Sequence, residues 1–276
     1  MEKKRWLIAD RAPEQFHEEI GIASSIFAQL LWNRGIQKKE DLSLFSEPSW
    51  EHGIHDPFLF SRMHEATGRV MSAIQAGEHI TIHGDYDADG ITASALMITV
   101  LKEIHRSSLC GDSYPAPPIA DIDFYIPHRD KEGYGLHHET VLKLKERGTN
   151  LLITVDCGIA SVDEIAFARS LGMDVVVVDH HQFGDRLPEA ILIHPGLSGE
   201  TYPFKSLAAV GVAFKFACAL LTKAREQGCE ILTGWEKWLL DLVAIATVTD
   251  MVPLIGENRA LLTFGLRVLN KTRRLG

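Results

Sequence analysis

The sequence has few cysteines, and they do not have the spacing of a zinc site or a disulfide framework. The four are Cys110, Cys157, Cys218 and Cys229, and no two of them form a CxxC pair. Because Met1–Trp6 runs into polar residues rather than the apolar stretch of a secretory signal, these cysteines are predicted to be reduced thiols. No apolar run is long enough to cross a bilayer. These absences predict a cytoplasmic protein with no membrane partner.

The chain also lacks an excess of basic residues. It contains 28 Lys and Arg against 37 Asp and Glu, which gives a formal net charge of −9. This balance argues against a protein that coats DNA through its overall charge. It does not exclude an enzyme that acts on nucleic acid, because clustered carboxylates that bind divalent cations account for part of the excess. Bound cations would reverse the local field.

Two common nucleotide-binding signatures are missing. There is no GxGxxG and no GxxxxGK[ST] in the sequence, so neither a dinucleotide fold nor a P-loop is predicted. The aromatic residues, 8% of the total, are scattered, and they do not form an evident platform for stacking bases. Any chemistry on phosphates must therefore come from other side chains.

The spacing of apolar residues predicts an α/β fold. From His79 onwards, short β-rich runs alternate with amphipathic helices, which is typical of βαβ units and of a mainly parallel sheet flanked by helices on both faces. The 276 residues are enough for one large domain or two smaller ones. The predicted strands are His79–His83, Phe124–Pro127, Leu151–Val155, Val175–Val178 and Ile191–His194.

Segments on either side of this pattern are predicted to be helical. Residues 1–76 are interpreted as a helical extension packed on the core, with one helix over Pro13–Arg34 that ends at a glycine. Residues 77–256 form the predicted α/β domain, and a last helix runs from Glu257 into the final residues without a clear stop. The Ser, Pro and Gly content of Arg106–Asp121 predicts an exposed loop.

Acidic and histidine residues follow three of the predicted strands. His83 ends the first strand and begins the run HGDYDADG, Asp156 follows the strand LLITV, and Asp179-His180-His181 follows VVVV. In an open parallel sheet, ligands bind outside the carboxyl ends of the strands. We therefore expect these residues, which are far apart in sequence, to converge at one edge of the sheet.

Carboxylates and imidazoles at such an edge favour a site for two divalent cations. Oxygen and imidazole ligands suit Mn²⁺ or Mg²⁺, and two cations can hold both the attacking and the leaving oxygen of a phosphoryl centre. Asp87 and Asp89 alternate in an extended turn, so they could address adjacent metals. Each motif also has a simpler explanation, since a DxD is often a solvated turn and Asp156 could cap the next helix. Together at successive strand ends, they favour the metal.

Two further residues leave alternatives open. Asp250 ends the almost wholly apolar run Leu239–Thr249, where a carboxylate is costly unless it is paired or bound to a metal. A polar turn before Pro253 explains Asp250 equally well. Cys157 follows Asp156 and could be proposed as a nucleophile beside His180, but no base with an orienting partner is evident, and a small buried thiol is the favoured interpretation.

Six segments of the sequence resemble motifs of a known family. They are similar in order and wording to the successive motifs of the DHH phosphoesterase superfamily, and among its members they most resemble the bacterial RecJ single-strand exonucleases. The resemblance extends over nearly the whole chain. The segments are HGDYDADGITASAL, DFYIPHR with EGYGL, LLITVDCGI, VVVVDHH, YPFKSLAAVGVAFK and ATVTDMVPLIGENRALLTFGL.

This resemblance implies a division of ligands between two metals. His83, Asp87 and Asp156 would bind one cation, and the second would be bound by Asp89, Asp156, His180 and Asp250, with Asp156 bridging. The same pattern places His181 at the scissile phosphate. Asp85 would be either a ligand or a residue that orients one. Arg129 is either a contact to a substrate phosphate or an ordinary exposed arginine.

The resemblance also implies an activity and a setting. The expected reaction is hydrolysis of single-stranded DNA from the 5′ end, releasing 5′-mononucleotides by two-metal-activated attack of water, in DNA repair and recombination. Implied partners are single-stranded DNA, a helicase or a single-strand-binding protein, and C-terminal domains beyond a connecting helix that would begin at 257–276. Without those domains, we expect the chain to fold and bind Mn²⁺ but to degrade DNA weakly or not at all. Alternatives are a phosphodiesterase acting on oligonucleotides or cyclic dinucleotides, and an inactive scaffold.

Overall fold

The computed structural model describes residues 7–108 and 119–274. The chain divides into two compact units, Met1–Gly53 and Ile54–Gly276. Most of the loop predicted over Arg106–Asp121 lies outside the described residues.

The first unit contains short helices around a small apolar cluster. A single helix over Pro13–Arg34 is a wrong prediction, because Gly21, at a φ of 75°, ends the first helix. The Oγ of Ser24 then accepts a hydrogen bond from the amide of Phe27 and starts the second. The cluster is formed by Phe16, Ile20, Ala28, Leu31 and Ile36. The helices are α1 (Phe16–Ile20), α2 (Ser25–Trp32), α3 (Lys39–Ser46) and α4 (Trp50–Gly53).

The second unit contains a five-stranded sheet among its described residues, and all of its strand pairs are parallel. The strand order is β2-β1-β3-β4-β5, which confirms the α/β prediction. The strands are β1 (His79–Gly84), β2 (Asp121–Tyr125), β3 (Leu151–Val155), β4 (Asp174–Val178) and β5 (Ile191–Ile193).

One strand lies earlier than predicted. The sequence indicated Phe124–Pro127, whereas β2 begins at Asp121, where it pairs with His79 of β1. The strand lies at the edge of the sheet, so charged residues such as Asp121 and Asp123 are tolerated there and hide the β pattern. Pro127 cannot donate a ladder hydrogen bond, which explains why the strand ends before it.

Helices cover both faces of the sheet. One face buries a cluster that joins Val141 and Leu144 of the helix after β2 to Leu152, Val175 and Val177 of the strands. The helix after β1 and a long helix from Ala209 pack on each other and on the opposite face. The helices are α5 (Met63–Ala76), α6 (Ala88–Ser108), α7 (His138–Glu146), α8 (Val162–Ser170), α9 (Ala209–Glu226), α10 (Leu240–Thr249) and α11 (Gly256–Leu269), with 3₁₀ turns at Pro57–Leu59 and Trp235–Leu239.

The last helix is shorter than predicted. It ends at Leu269 instead of running on through the following residues. The carboxylate of Asp241, buried at the start of α10, accepts hydrogen bonds from Thr272 and Arg274 and holds the chain in a non-helical path. Within the described part of the chain, none of the helices is both long and apolar enough to cross a bilayer.

A buried ion pair joins α9 to the start of α11. Lys215 and Glu257 are each 1% exposed and are paired through Nζ and Oε1. Glu257 also accepts hydrogen bonds from the hydroxyl of Tyr202 at 2.6 Å and the amide of His55 at 3.0 Å. Because every charge in this group has polar partners, the pair is tolerated in the core.

Breaking this pair should destabilise the second unit. Lys215→Met leaves the carboxylate of Glu257 buried without its cation, so we expect the free energy of unfolding to fall by about 3–5 kcal/mol. Urea denaturation followed by circular dichroism measures this change. Arg169→Ala, which removes an exposed pair with Glu189, is the control and should cost less than about 1 kcal/mol. A loss equally small for Lys215→Met would contradict the assignment.

Candidate metal centre

The carboxyl ends of three neighbouring strands bring the predicted ligands together. β1, β3 and β4 lie side by side, so Asp85, Asp156 and Asp179 follow their last residues at one edge of the sheet. The chain leaves β1 towards β2 on one side and returns to β3 on the other, which makes this edge the switch point of the fold. Three groups of residues there have ligand atoms within 4.8 Å of one another.

His180 lies at the centre of two of these groups. Its Nδ1 is 3.1 Å from the carbonyl oxygen of Leu207, which can only accept, so Nδ1 carries the proton. Its Nε2 therefore has a bare lone pair in the neutral ring. That nitrogen lies 3.4 Å from Asp156, 3.8 Å from Asp250 and 3.9 Å from Asp89.

Asp156 occupies a left-handed backbone conformation at the end of β3. Its φ is 60°, a region that few residues other than glycine adopt, though Asp and Asn do so most readily. The amide of Asp156 donates to Val178 of β4 and its carbonyl accepts from the hydroxyl of Tyr134. The carboxylate is buried, and neither of its oxygens has a hydrogen-bond partner among the described residues.

Asp87 and Asp89 serve the scaffold as well as the site. Oδ1 of Asp87 accepts from the amides of Asp89 and Gly90 and so caps α6. Asp89 accepts from the amides of Ala209 and Val210 at 2.7 and 2.8 Å, at the N-terminus of α9. Oδ2 of Asp87 accepts neither of its two bonds, and each oxygen of Asp89 accepts one bond and keeps a second lone pair, so both carboxylates are still able to bind a cation.

Asp250 lies at the carboxyl end of α10, and the structure brings it to the same edge of the sheet as His180. Its carboxylate forms a group with Asp89 and His180. The alternative of an isolated polar turn therefore loses its support. Burial raises the pKa of Asp250, while His180 opposes that shift.

The third group contains Asp85, Asp87 and Asp156. The family pattern places His83 with Asp87 and Asp156 as ligands of one cation. Among the described residues, however, His83 belongs to none of the three groups. Asp85 is 5% exposed, and its Oδ1 has no hydrogen-bond partner in the described structure. His83 is fully buried, its Nε2 has no such partner either, and burial lowers its pKa to about 4. At this end of β1, each of the two residues therefore has a buried polar atom without a hydrogen-bond partner.

His181 is held by two residues to which the sequence assigned no role. Its Nδ1 lies 2.8 Å from Oδ1 of Asp179 and 3.2 Å from the hydroxyl of Tyr134. The hydrogen bond to Asp179 raises the pKa of His181. Burial is the largest single effect on Asp179 and opposes its ionisation, but the hydrogen bonds and charge of His181 together with the amide of Ile159 outweigh it, so the pKa of Asp179 is lowered. The only indications of this role in the sequence are that Asp179 is the first residue of the DHH motif and that Tyr134 lies within the segment EGYGL.

Arg129 lies beside the candidate metal centre but is not one of its possible ligands. Its guanidinium carbon lies 4.5 Å from the centroid of the Tyr86 ring, and the side chain is exposed. Its positive charge lowers the pKa of Asp85, although burial dominates and raises it. An exposed cation stacked on an aromatic ring next to the carboxylates is well placed to meet an anion.

The arrangement fits divalent cations on chemical grounds. The oxygens of Asp156 and Asp250 lie 3.4 and 3.8 Å from Nε2 of His180, and neither that nitrogen nor the two oxygens of Asp156 have a hydrogen-bond partner among the described residues. Burial and the carboxylates of Asp89 and Asp87 raise the pKa of Asp156 to about 10. Likewise, burial raises the pKa of Asp89 to about 6. Such a cluster needs either protons or cations, and the ligand types suit Mn²⁺ or Mg²⁺.

The fold is that of a known protein family. Residues 79–247 match the family model for the DHH family, N-terminal domain. Since that match covers more than half of the chain, the chain belongs to the DHH family.

Several relatives of this chain are single-strand exonucleases by name. The chain is 42% identical over 280 aligned residues to the single-stranded-DNA-specific exonuclease RecJ of Bacillus subtilis, covering 99% of this chain and 32% of the relative. It is 37% identical to RecJ of Escherichia coli over 87% of this chain and 40% of the relative. The chain thus spans about a third to two fifths of these curated relatives.

Solved structures agree with the sequence comparison. A crystal structure of exonuclease RecJ bound to manganese is 32% identical, with a TM-score of 0.63 over 75% of this chain and 48% of that one. RecJ from Thermus thermophilus in complex with Mn²⁺ is 27% identical, with a TM-score of 0.69 over 94% of this chain and 33% of that one.

The raised pKa of Asp156 predicts how stability depends on pH. A carboxyl whose pKa rises from 3.8 to about 10 on folding contributes stability that is full below 3.8 and is lost as pH rises towards 10. The raised pKa of His181 acts in the same direction. Without metal, the melting temperature should fall between about pH 7 and pH 9. With saturating Mn²⁺ it should not fall, because fewer protons compete with the ion.

Differential scanning fluorimetry with EDTA or Mn²⁺ measures both curves. Asp156→Asn is the matched control, since Asn tolerates the left-handed backbone but does not titrate. This variant should show a weaker dependence on pH and little stabilisation by Mn²⁺. A metal-free melting temperature that rises over this range would contradict the prediction.

Proposed function

We propose that this chain carries the metal-binding part of a 5′→3′ exonuclease that hydrolyses single-stranded DNA to 5′-mononucleotides. The observation that carries the proposal is the convergence of Asp89, Asp156 and Asp250 on Nε2 of His180, where that nitrogen and both oxygens of Asp156 have no hydrogen-bond partner among the described residues. The names of the relatives, single-stranded-DNA-specific exonucleases, supply the substrate class. DNA repair and recombination is the proposed setting, with a helicase or a single-strand-binding protein as partner.

Two divalent cations are the proposed cofactors. His83, Asp87 and Asp156 would hold one, with Asp85 either as an additional ligand or as a residue that orients one. Asp89, Asp156, His180 and Asp250 would hold the other. Mn²⁺ is preferred over Mg²⁺ because imidazole ligands suit it better. When bound, the cations supply Lewis acidity and lower the pKa of coordinated water.

Side chains of the protein supply the remaining functions. The proton on Nδ1 of His181 is held by Asp179, so Nε2 is the nitrogen available to a substrate phosphate. The side chain of His181 is 40% exposed, and its raised pKa favours the cationic form that stabilises developing negative charge. His194 donates to the carbonyl of His181 at 2.8 Å and fixes the backbone of this motif. Arg129 is proposed to contact a phosphate of the strand.

The substrate of the site can be tested directly. With Mn²⁺, we expect any cleavage to release 5′-labelled mononucleotides from a long single strand before a 3′ label, and to leave blunt duplex intact. Asp156→Asn should remove this activity and Mn²⁺ binding together, since one residue serves both ions. Release of the 3′ label first would contradict the proposed polarity. Faster turnover of a dinucleotide or a cyclic dinucleotide than of the long strand would favour the alternative phosphodiesterase.

Arg129 provides a second test at the substrate side. Arg129→Ala should raise KM for single-stranded DNA by about tenfold, the size of one lost charge-assisted contact. Arg129→Lys should recover only part of this, because Lys cannot bind two phosphate oxygens at once. Steady-state kinetics measures the effect, and Arg169→Ala, at the opposite edge of the sheet beside Asp174, is the control. Equal KM values for Arg129→Ala and Arg169→Ala would remove the proposed contact.

A further inference from the structure

We propose that Cys157 is a positioning residue whose thiol holds the imidazole of His83 in the tautomer and orientation that a metal ligand needs. The inference deepens the proposed function, because it rests on His83 as a ligand in the metal centre. It concerns a residue that neither the family pattern nor the proposed chemistry uses.

The environment of His83 leaves one nitrogen occupied and the other free. The ring is fully buried at the end of β1, so water cannot satisfy it. Nδ1 lies 3.4 Å from Sγ of Cys157, which is within hydrogen-bonding range for sulfur. Nε2 has no hydrogen-bond partner among the described residues. A buried nitrogen without a partner is costly unless something binds it.

The donors and acceptors around the thiol determine where the protons lie. Sγ of Cys157 is also 3.8 Å from the carbonyl oxygen of His83, and that oxygen can only accept. In the proposed arrangement the S–H points to the carbonyl, and the lone pairs of sulfur accept from Nδ1. Consequently Nδ1 carries the proton of the neutral ring and Nε2 presents a bare lone pair. This is the tautomer required for coordination through Nε2.

The surroundings hold the ring in one plane. The ring of Tyr125 lies parallel to that of His83, with centroids 5.7 Å apart and an angle of 13° between the planes. Cys157 directly follows Asp156, whose left-handed φ turns the chain at the end of β3. Two successive residues would thus serve the same centre, Asp156 as a ligand and Cys157 through a ligand on the neighbouring strand. Metal-binding histidines usually donate their second N–H to a carboxylate or a carbonyl, and here a neutral thiol replaces that partner.

The tautomer of His83 can be observed without metal or DNA. Two-bond ¹H–¹⁵N correlation spectra of protein labelled at histidine distinguish the two neutral forms, and the His83 signals are those lost in His83→Gln. We expect the metal-free wild type to show the proton on Nδ1. Cys157→Ala should give a mixture of the two forms, while Cys157→Ser, which keeps both a donor and an acceptor, should restore the wild-type form. A wild-type proton on Nε2 would overturn the inference.

Binding of Mn²⁺ gives the second readout. By calorimetry, Cys157→Ala should weaken binding of one of the two ions by about 10–100-fold, the usual cost of removing a partner behind a metal ligand. Cys157→Ser should recover most of this affinity. Cys218→Ala is the matched control, since Cys218 lies two turns further along α9 than the amides that bond Asp89, and it should bind both ions as the wild type does.

These outcomes separate the inference from the proposed function. If Cys157→Ala binds both ions with wild-type affinity, the positioning role is wrong, whatever the protein hydrolyses. If the tautomer and Mn²⁺ results are as expected but a 3′ label is released from single-stranded DNA before a 5′ label, the exonuclease proposal fails and the role of Cys157 stands. If Cys157→Ala does not fold, Cys157→Ser decides, because loss of the Nδ1 proton in that folded variant would overturn the inference.

Discussion

The structure of the second unit depends on carboxylates and an imidazole whose acceptor atoms converge at the carboxyl ends of β1, β3 and β4. The imidazole of His180 donates its Nδ1–H to a backbone carbonyl. The carboxylate of Asp156 is buried, and neither of its oxygens has a hydrogen-bond partner among the described residues. Such groups repel one another in a low-dielectric site, so the folded chain must bind either protons or cations there. The raised pKa of Asp156 reflects this repulsion in the absence of ions. Divalent cations remove it by serving several acceptors at once.

The scaffold and the site are built from the same residues. Asp87 caps α6, and Asp89 accepts hydrogen bonds from the first amides of α9. The same carboxylates that lie in the candidate metal centre therefore also hold the helices around it. The amides stabilise negative charge that would otherwise be costly to bury. Replacing either carboxylate would therefore affect helix packing as well as ligation. A loss of activity at these positions needs a separate measurement of folding before it is assigned to the metal.

Much of the fold was predictable because its signals are local. The strands β3 and β4 are largely apolar runs followed directly by an aspartate, and a buried parallel strand allows few other patterns. Where local signals were weak, the predictions failed. The edge strand β2 begins with Asp121, whose exposure leaves no apolar alternation to read. The N-terminal segment kept its helical spacing across Gly21, and only the left-handed backbone there divides it into α1 and α2.

The sequence by itself determined which side chains reach one edge, because parallel strands present their carboxyl ends together whatever the details of packing. It therefore predicted the cluster of Asp87, Asp156 and His180. Only the tertiary structure shows where Asp250 lies, since α10 packs against α6 and brings the carboxylate of Asp250 to within 3.8 Å of the His180 ring. The partners of His83 and His181 were decided in the same way. Hydrogen bonds between distant segments depend on distances of tenths of an ångström, which no spacing along the chain records.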